Sequence, residues 1–230
     1  MVNDQIVNIK SGETFERVFL NEPEVSLHVV QEAGSRVKIH VLNMPVETSI
    51  DRHTDISKQS CSSEAKNTIT VEQKGENCST EIFGLAFLHG EEKVTTETHV
   101  THAVGGGTSN QLIKFVLADQ SRGHFIGDLK IAQDAQQTEA HQTNRNLLLS
   151  EDAEMRTQPQ LEIYADDVKA THGASTGQLD ESALFYMQQR GIGKQKARQL
   201  LVGAFMKDVL ATISDETLRE KLINSLDSDL

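Results

Sequence analysis

Apolar and polar residues alternate along most of the first three quarters of the chain. The segment NTITVEQ (67–73) places Ile69 and Val71 on one side of an extended chain and polar residues on the other. A period of two is typical of a β-strand with one buried face. Segments of the same kind recur at 25–30, 36–42, 80–88, 93–103, 111–118, 124–132 and 160–165. The pattern therefore predicts a mainly β domain over residues 1–176.

Turns rich in Gly, Asn, Asp or Ser separate most of these segments, and this pattern fits a sandwich, a jelly roll or a parallel β-helix. No sequence repeat of fixed length is visible, so spacing alone does not predict a solenoid. One segment gives a hint. EAHQTNRNLLLS (139–150) places Asn144 and Asn146 two residues apart before a leucine run, and stacked amides are common at solenoid turns.

From about residue 178 the apolar period changes to three and four, which predicts helices. Asp180 is a candidate N-cap and Gly191 a candidate C-terminal stop for the first helix. A second helix is predicted over Lys194–Ala211, and Ser214 is expected to cap a third. The predicted apolar stripe of the second helix comprises Ala197, Leu200, Leu201, Ala204, Phe205 and Val209.

These helices form a predicted C-terminal helical domain over residues 177–230, and its apolar stripe must pack against something. The β domain of the same chain and a partner protein are two equally good candidates from the sequence.

Composition limits the functional classes. A formal net charge of −12 argues against nucleic acid and against anionic membrane surfaces as partners. The N-terminal residues lack the basic and apolar regions of a signal peptide, and the apolar run 82–88 is too short to span a bilayer. With only two cysteines, Cys61 and Cys78, we expect a cytoplasmic protein with reduced thiols.

The histidines give no strong metal signal. His99 and His102 are three residues apart in a predicted strand, so they should face opposite sides and make a poor chelate. The glycine run at 105–107 lacks the Lys-Ser/Thr of a phosphate loop and is interpreted as a flexible connection. No metal site is predicted with certainty.

Three residues near position 170 are candidates for chemistry. Asp166 and Asp167 are adjacent, and neighbours on a strand point apart, so a turn role is favoured over a catalytic dyad. His172 could carry a proton or bind a metal. No Ser-His-Asp order or nucleophile elbow accompanies it, so the sequence gives no support for nucleophilic catalysis.

Long blocks of the chain resemble the SufB/SufD family of iron–sulfur cluster assembly scaffolds. They are THVTHAVGGGTSNQLIKFVLADQSRGHFIGDLKI, QDAQQTEAHQTNRNLLLSEDA, PQLEIYADDVKATHGASTGQLDESALFYMQQRGI and ARQLLVGAF. The resemblance covers about residues 64–226, is strongest over 95–191, and is closer to the D-type than the B-type. It implies a right-handed parallel β-helix followed by a helical domain.

The resemblance also implies a non-catalytic scaffold that pairs with a SufB-type subunit through the β-helix ends and docks a SufC-type ABC ATPase. The pairing surface would lie near 161–175, and a transient iron–sulfur cluster could form there with His172. The candidate pairing residues are Asp166, Asp167, Lys169 and Ala170. The candidate ATPase-docking residues are Leu184, Phe185, Met187, Arg190, Leu201 and Phe205.

Two departures from the family pattern keep alternatives open. Ala170 occupies the position of a usual cysteine, and an alanine cannot bind iron. A helical N-terminal domain has no counterpart, so the chain is a short form or a fragment. A homodimer on the same scaffold is therefore one alternative. A β-helix polysaccharide hydrolase or lyase using Asp166, Asp167 and His172 is another, disfavoured by few aromatics and an acidic β domain. The sequence leaves open whether a flavin or metal binds.

Overall fold

The computed structural model describes residues 5–45 and 63–229, with side chains up to residue 225. Twelve strands precede three helices in these residues. The strands are β1 (Gln5–Ile9), β2 (Thr14–Leu20), β3 (Glu24–Gln31), β4 (Arg36–Asn43), β5 (Glu64–Gln73), β6 (Ser79–Leu88), β7 (Lys93–His102), β8 (Thr108–Leu117), β9 (Arg122–Ile131), β10 (Thr138–Leu148), β11 (Glu154–Ile163) and β12 (Val168–Gly177). The helices are α1 (Glu181–Gln189), α2 (Lys194–Leu210) and α3 (Glu216–Asp229).

Consecutive strands alternate between two parallel sheets. The odd-numbered strands form one sheet in the order β1-β3-β5-β7-β9-β11, and the even-numbered strands form the other in the order β12-β10-β8-β6-β4-β2. A chain that visits two parallel sheets in turn advances as a β-helix with two strands per turn. The predicted parallel β-helix is therefore confirmed, and the sandwich and jelly roll, which are built from antiparallel strands, are excluded.

The β-helix has a structural repeat that the sequence does not display. Glu64, Lys93, Arg122 and Glu154 pair in register on neighbouring strands of the odd sheet, at separations of 29, 29 and 32 residues. Two acidic and two basic side chains occupy this one position. The repeat fixes whether a side chain points inward or outward, but not which residue type occupies the position. The sequence therefore shows no repeated motif.

The space between the two sheets, which we call the lumen, contains the main core. Alternate residues of each strand point inward, as the period of two predicted. Ile69, Ile82, Phe115 and Phe125 are at most 1% exposed there. Burying such side chains contributes about 1.5–3 kcal/mol each relative to exposure, so the lumen accounts for much of the stability of the β domain.

A second core covers the outer face of the even sheet. Phe83 and Val116 on the sheet belong to one buried cluster with Met206 of α2 and Leu222 of α3. The apolar stripe of the helices therefore packs against the β domain of the same chain. This answers the question that the sequence left open.

The buried stripe of α2 differs from the predicted one. Its buried residues are Ala197, Val202, Met206, Val209 and Leu210. Leu200 is instead 41% exposed, and Ala204 is exposed. The prediction of these two was wrong because α2 carries apolar residues on more than one side, so periodicity could not identify the stripe that faces the sheet.

The helix ends follow local sequence signals. The carboxylate of Asp180 accepts a hydrogen bond from the Ser182 amide at 2.8 Å, and Gly191 has φ +84 just after α1, as predicted. The cap of α3 is Asp215, which accepts from the Leu218 amide at 3.0 Å, so the prediction of Ser214 was wrong. None of these described helices is long and apolar enough to cross a membrane.

Candidate functional site at the open end of the β-helix

The last turn of the β-helix ends both sheets. In the described part of the chain, β11 pairs with β9 on one side and β12 pairs with β10 on one side, so their outer edges stay free. Ile163 at the end of β11 is 43% exposed, and Tyr164 beside it is 59% exposed. We call β11, β12 and their connecting turn the open end. Free strand edges next to exposed apolar side chains favour association with another protein.

Asp166 and Asp167 lie in the turn between β11 and β12. The Asp167 amide donates to Gln136 Oε1 at 2.9 Å, and its carbonyl oxygen accepts from the Gln137 amide at 2.6 Å. Both aspartates are exposed. Their predicted turn role is confirmed, because the hydrogen bonds of Asp167 fix the last turn to the turn before it.

The other predicted pairing residues lie on β12 and divide between its two faces. Ala170 is half-buried against the lumen core, and His172, two residues on, lies on the same face but is exposed. Lys169 is exposed on the opposite face. His172 and Ala170 therefore border the lumen where the β-helix ends, and this is the surface that a partner at the open end would cover.

The ligand set around His172 is sparse. Among the residues that the structure describes, no three His, Cys, Asp or Glu side chains are placed to hold a metal ion. Cys61 lies outside the described residues. Cys78 is buried, and its thiol donates to the carbonyls of Glu32 and Gly75 at 3.1 Å. Within the described ranges, His172 therefore has no companion side chains that would complete a cluster-binding site.

His99 and His102 face opposite sides of β7, as the sequence predicted. His99 lies on the outer surface with Nδ1 2.7 Å from Asp128 Oδ2. His102 points into the lumen, where Nε2 lies 2.8 Å from the Ser109 hydroxyl. Burial lowers the pKa of His102 to about 4. His102 is thus a neutral core residue at physiological pH.

The predicted ATPase-docking residues divide into exposed and covered groups. Phe185 is 63% exposed on α1, and Arg190 at its C-terminal end is exposed as well. Leu184 is only 2% exposed, so its side chain is not at the surface of this chain. Met187 and Leu201 are half-buried.

Phe205 is committed to contacts within the chain. It packs against the core on the even sheet, and the ammonium group of Lys114 lies 4.6 Å from its ring centroid. The surface part of the predicted docking set is therefore carried by Phe185 and Arg190, with partial contributions from Met187 and Leu201.

Sequence reasoning did not single out four exposed apolar residues of these surfaces, Ile163, Tyr164, Tyr186 and Leu200. Tyr186 is 60% exposed and accepts a hydrogen bond from the Arg190 guanidinium at 3.1 Å. Leu200 lies exposed on α2. At the open end, the ring centroid of Tyr164 lies 5.7 Å from the ammonium nitrogen of Lys130. For Tyr186 and Leu200, which lie on α1 and α2, the only signal in the sequence was that these helices contain more apolar residues than one buried stripe can hold.

The comparisons with known proteins point to one family. Residues 15–205 match the family described as SUF system FeS cluster assembly, SufBD core domain. The chain is 38% identical to the iron–sulfur cluster assembly protein SufD of Escherichia coli over 158 residues, which is 69% of this chain and 37% of that protein.

Two further relatives extend the range of organisms. An iron–sulfur cluster assembly SufBD family protein of Synechocystis is 31% identical over 208 residues, 89% of this chain and 46% of that protein. The chloroplastic protein ABCI7 of Arabidopsis thaliana is 33% identical over 160 residues, 69% of this chain and 34% of that protein. The chain spans less than half the length of each of these relatives. The match over most of its residues nevertheless shows that the chain belongs to the SufBD core family.

Proposed function

We propose that this chain is a non-catalytic scaffold subunit of iron–sulfur cluster assembly. It pairs through the open end with a second β-helix of the SufB type and docks a SufC-type ABC ATPase through its helices. Membership of the SufBD core family supports the assembly role. The observation that carries the pairing surface is the open end, where two free strand edges lie beside exposed Ile163 and Tyr164.

A second β-helix would extend one or both sheets across the open end. Backbone groups on the free edges of β11 and β12 would gain hydrogen bonds, and the apolar side chains there would be removed from water. His172 and Ala170 would become buried at the junction. A nascent cluster at this junction is substrate rather than a resident cofactor. With Ala170 in place of a thiol, His172 is the ligand this strand contributes and the partner supplies the thiolates.

The ATPase surface is proposed on α1 and the outward side of α2. Phe185, Tyr186 and Leu200 are the exposed apolar residues there, and aromatic side chains of this kind commonly dominate binding energy at interfaces. The proposed set differs from the predicted one, because Leu184 is buried and Phe205 packs against the core on the even sheet. Location in the cytoplasm stays a prediction, and one relative is named as chloroplastic.

A homodimer is the second candidate, since the same open end would serve two copies of this chain. In such a homodimer neither copy would supply a thiolate at position 170, so this candidate keeps the pairing surface but offers a poorer cluster site. The polysaccharide hydrolase or lyase is not proposed, because Asp166 and Asp167 lie in a turn and His172 on a separate strand, bordering the lumen.

Co-expression with tagged SufB-type and SufC-type proteins tests the proposal. Ile163→Lys/Tyr164→Lys should abolish SufB-type binding and keep SufC-type binding. Ile6→Lys is the matched control, because Ile6 is 63% exposed on the first strand, at the other end of the β-helix. Phe185→Ala/Leu200→Ala should abolish SufC-type binding and keep SufB-type binding. Deleting the helices is unsuitable, since deletion would expose the core on the even sheet.

Each outcome has a defined meaning. If wild-type protein binds neither partner and sedimentation shows a dimer that Ile163→Lys/Tyr164→Lys dissociates, the homodimer replaces the heterodimer. If wild-type protein binds neither partner and is a monomer at micromolar concentration, the scaffold proposal fails. Equal loss of SufB-type binding in the Ile6→Lys control would mean that the open end is not the pairing surface.

A further inference from the structure

A column of polar side chains crosses the lumen just below the open end. Gln111 of β8, Gln142 of β10 and His172 of β12 are paired in register, so the three side chains lie one above the other on the inner face of the even sheet. Gln111 is 0% exposed and Gln142 is 1% exposed. The same position in β6 is occupied by Ile82. The lining of the lumen therefore changes from aliphatic to amide over the last turns.

The two glutamine amides lack protein partners. Neither Nε2 nor Oε1 of Gln111 or of Gln142 makes a hydrogen bond to any residue in the described ranges. The hydroxyl oxygens of Thr98 on β7 and Thr157 on β11, which line the facing sheet, are buried and unpaired within the same ranges. Leaving one such group unsatisfied costs about 1–3 kcal/mol. The four amide atoms and the two hydroxyl oxygens line one part of the lumen, so a hydrogen-bonding molecule bound there would satisfy them together.

Neighbouring amides show that the lumen can satisfy such groups when the sequence is arranged for it. Asn144 lies two residues from Gln142 on the same strand, and its Nδ2 donates to the Ile113 carbonyl at 3.1 Å. Asn144 and Asn146 also exchange hydrogen bonds at 3.0 and 2.7 Å. Asn67 and Gln73 each leave only the amide oxygen unpaired, whereas Gln111 and Gln142 leave both amide atoms unpaired in the described ranges.

The facing sheet approaches the Gln142 amide closely at a glycine. Thr98, Gly127 and Pro159 are paired in register on β7, β9 and β11. A Cβ atom added to Gly127 would lie 2.5 Å from Gln142 Nε2 and 2.6 Å from Phe125 Cζ. The Gln142 amide therefore reaches across to the backbone of β9, and glycine at position 127 is what keeps this approach possible.

We propose that the lumen between Gln111 and His172 holds a file of bound water molecules. Each amide presents an unpaired NH2 group that donates and an unpaired carbonyl oxygen that accepts, and each hydroxyl can do both, so water molecules can satisfy all of them. Gln111 and Gln142 on the even sheet face the column of Thr98, Gly127 and Pro159 on the odd sheet. None of these five residues is charged, so this part of the lumen suits a neutral molecule rather than an ion. The file gives the His172 ring a hydrated inner side, independently of any partner at the open end.

Water relaxation measurements on the intact chain test this proposal. Magnetic relaxation dispersion counts long-lived internal waters, and Gln111→Leu/Gln142→Leu, which keeps side-chain volume and removes the polar atoms, should lower the count by about two or more. Gln160→Leu on the outward face of β11 is the matched control, because Gln160 is exposed, and it should leave the count unchanged.

A second readout uses the wild-type protein alone. Rotating-frame Overhauser cross-peaks should connect the side-chain amide protons of Gln111 and Gln142 to water. Their absence, or an unchanged water count in the double leucine variant, would overturn the proposal. If the double variant does not fold, the cross-peaks in the wild-type protein decide the question.

Discussion

Lys114 is a buried cation whose partner is half-exposed, and this asymmetry gives an unusual mutational prediction. The Lys114 side chain, on the outer face of β8, is 2% exposed, whereas that of Asp208 on α2 is 52% exposed. Lys114 Nζ lies 2.6 Å from Asp208 Oδ2 and donates to the Phe205 carbonyl at 2.7 Å. The ion pair connects α2 to the even sheet.

Replacing the exposed partner should cost more than replacing the buried one. In Asp208→Asn the ammonium stays buried against a neutral amide. Removing one member of a fully buried pair costs about 3–5 kcal/mol, and the exposure of Asp208 lets water compensate part of this loss, so we expect about 2 kcal/mol. In Lys114→Met both the charge and its desolvation penalty disappear while the stem volume is kept, so the loss should stay below about 1 kcal/mol.

Urea unfolding at pH 7 and 25 °C measures both variants. The midpoint should fall by roughly 0.5–1 M for Asp208→Asn, with an unchanged slope, and only slightly for Lys114→Met. In the Lys114→Met background, Asp208→Asn should have almost no further effect, because no buried charge then remains to lose its partner. The reasoning is refuted if Lys114→Met is the more destabilising single change, or if the two effects simply add.

Four further predictions concern stability. Burial lowers the pKa of His40 and of His102 to about 4, against 6.5 in the unfolded chain. Both are neutral when folded, so stability should fall as pH drops from 6.5 to 4, by about 2 kcal/mol per histidine at pH 5. Urea unfolding at pH 7 and 5 checks this, and an equal pH dependence in His102→Gln would contradict it. Gly75→Ala should destabilise by about 2 kcal/mol or more, because the new Cβ would lie 2.0 Å from the backbone nitrogen of Ala33. Gly203→Ala in α2, with no atom within 4 Å of the new Cβ, should raise the thermal midpoint with a gain of about 0.5–1 kcal/mol. If both glycine variants are less stable than the wild-type protein, the free space around the new Cβ atom does not determine the effect. Asp180→Ala should cost about 1 kcal/mol by removing the N-cap of α1, and unchanged thermal unfolding monitored by circular dichroism would argue against this.

Local features were predictable because they depend on a few neighbouring residues. The alternation of 67–73 identified a strand, and it lies within β5. Asp180 and Gly191 mark the ends of α1, because capping needs only a side-chain acceptor or a residue that tolerates positive φ. The opposite directions of His99 and His102 follow from the strand period alone. The choice of a β-helix came from family resemblance, since a period of two occurs in every β fold.

Predicting the candidate site would have required knowing which residues far apart in the sequence come into contact. Leu184 and Phe205 were predicted to be at the docking surface, yet both pack within the chain. A helix with apolar residues on several sides fits a sheet or a partner equally well, and only the contact with Phe83 and Val116 of the even sheet settles which side is covered. The same contact explains why Leu200 is exposed.

The sequence by itself determined the strand segments, the inward and outward alternation, the caps of α1 and the membership of a scaffold family. Tertiary structure alone decided which residues meet. Gln111, Gln142 and His172 are 31 and 30 residues apart, and they share one column because parallel pairing advances the chain by one turn of the β-helix. Burial of Lys114 likewise depends on how α2 crosses β8. Period-two alternation fixes the face of a residue within its strand, but neighbours across strands depend on turn lengths, which local sequence leaves undetermined.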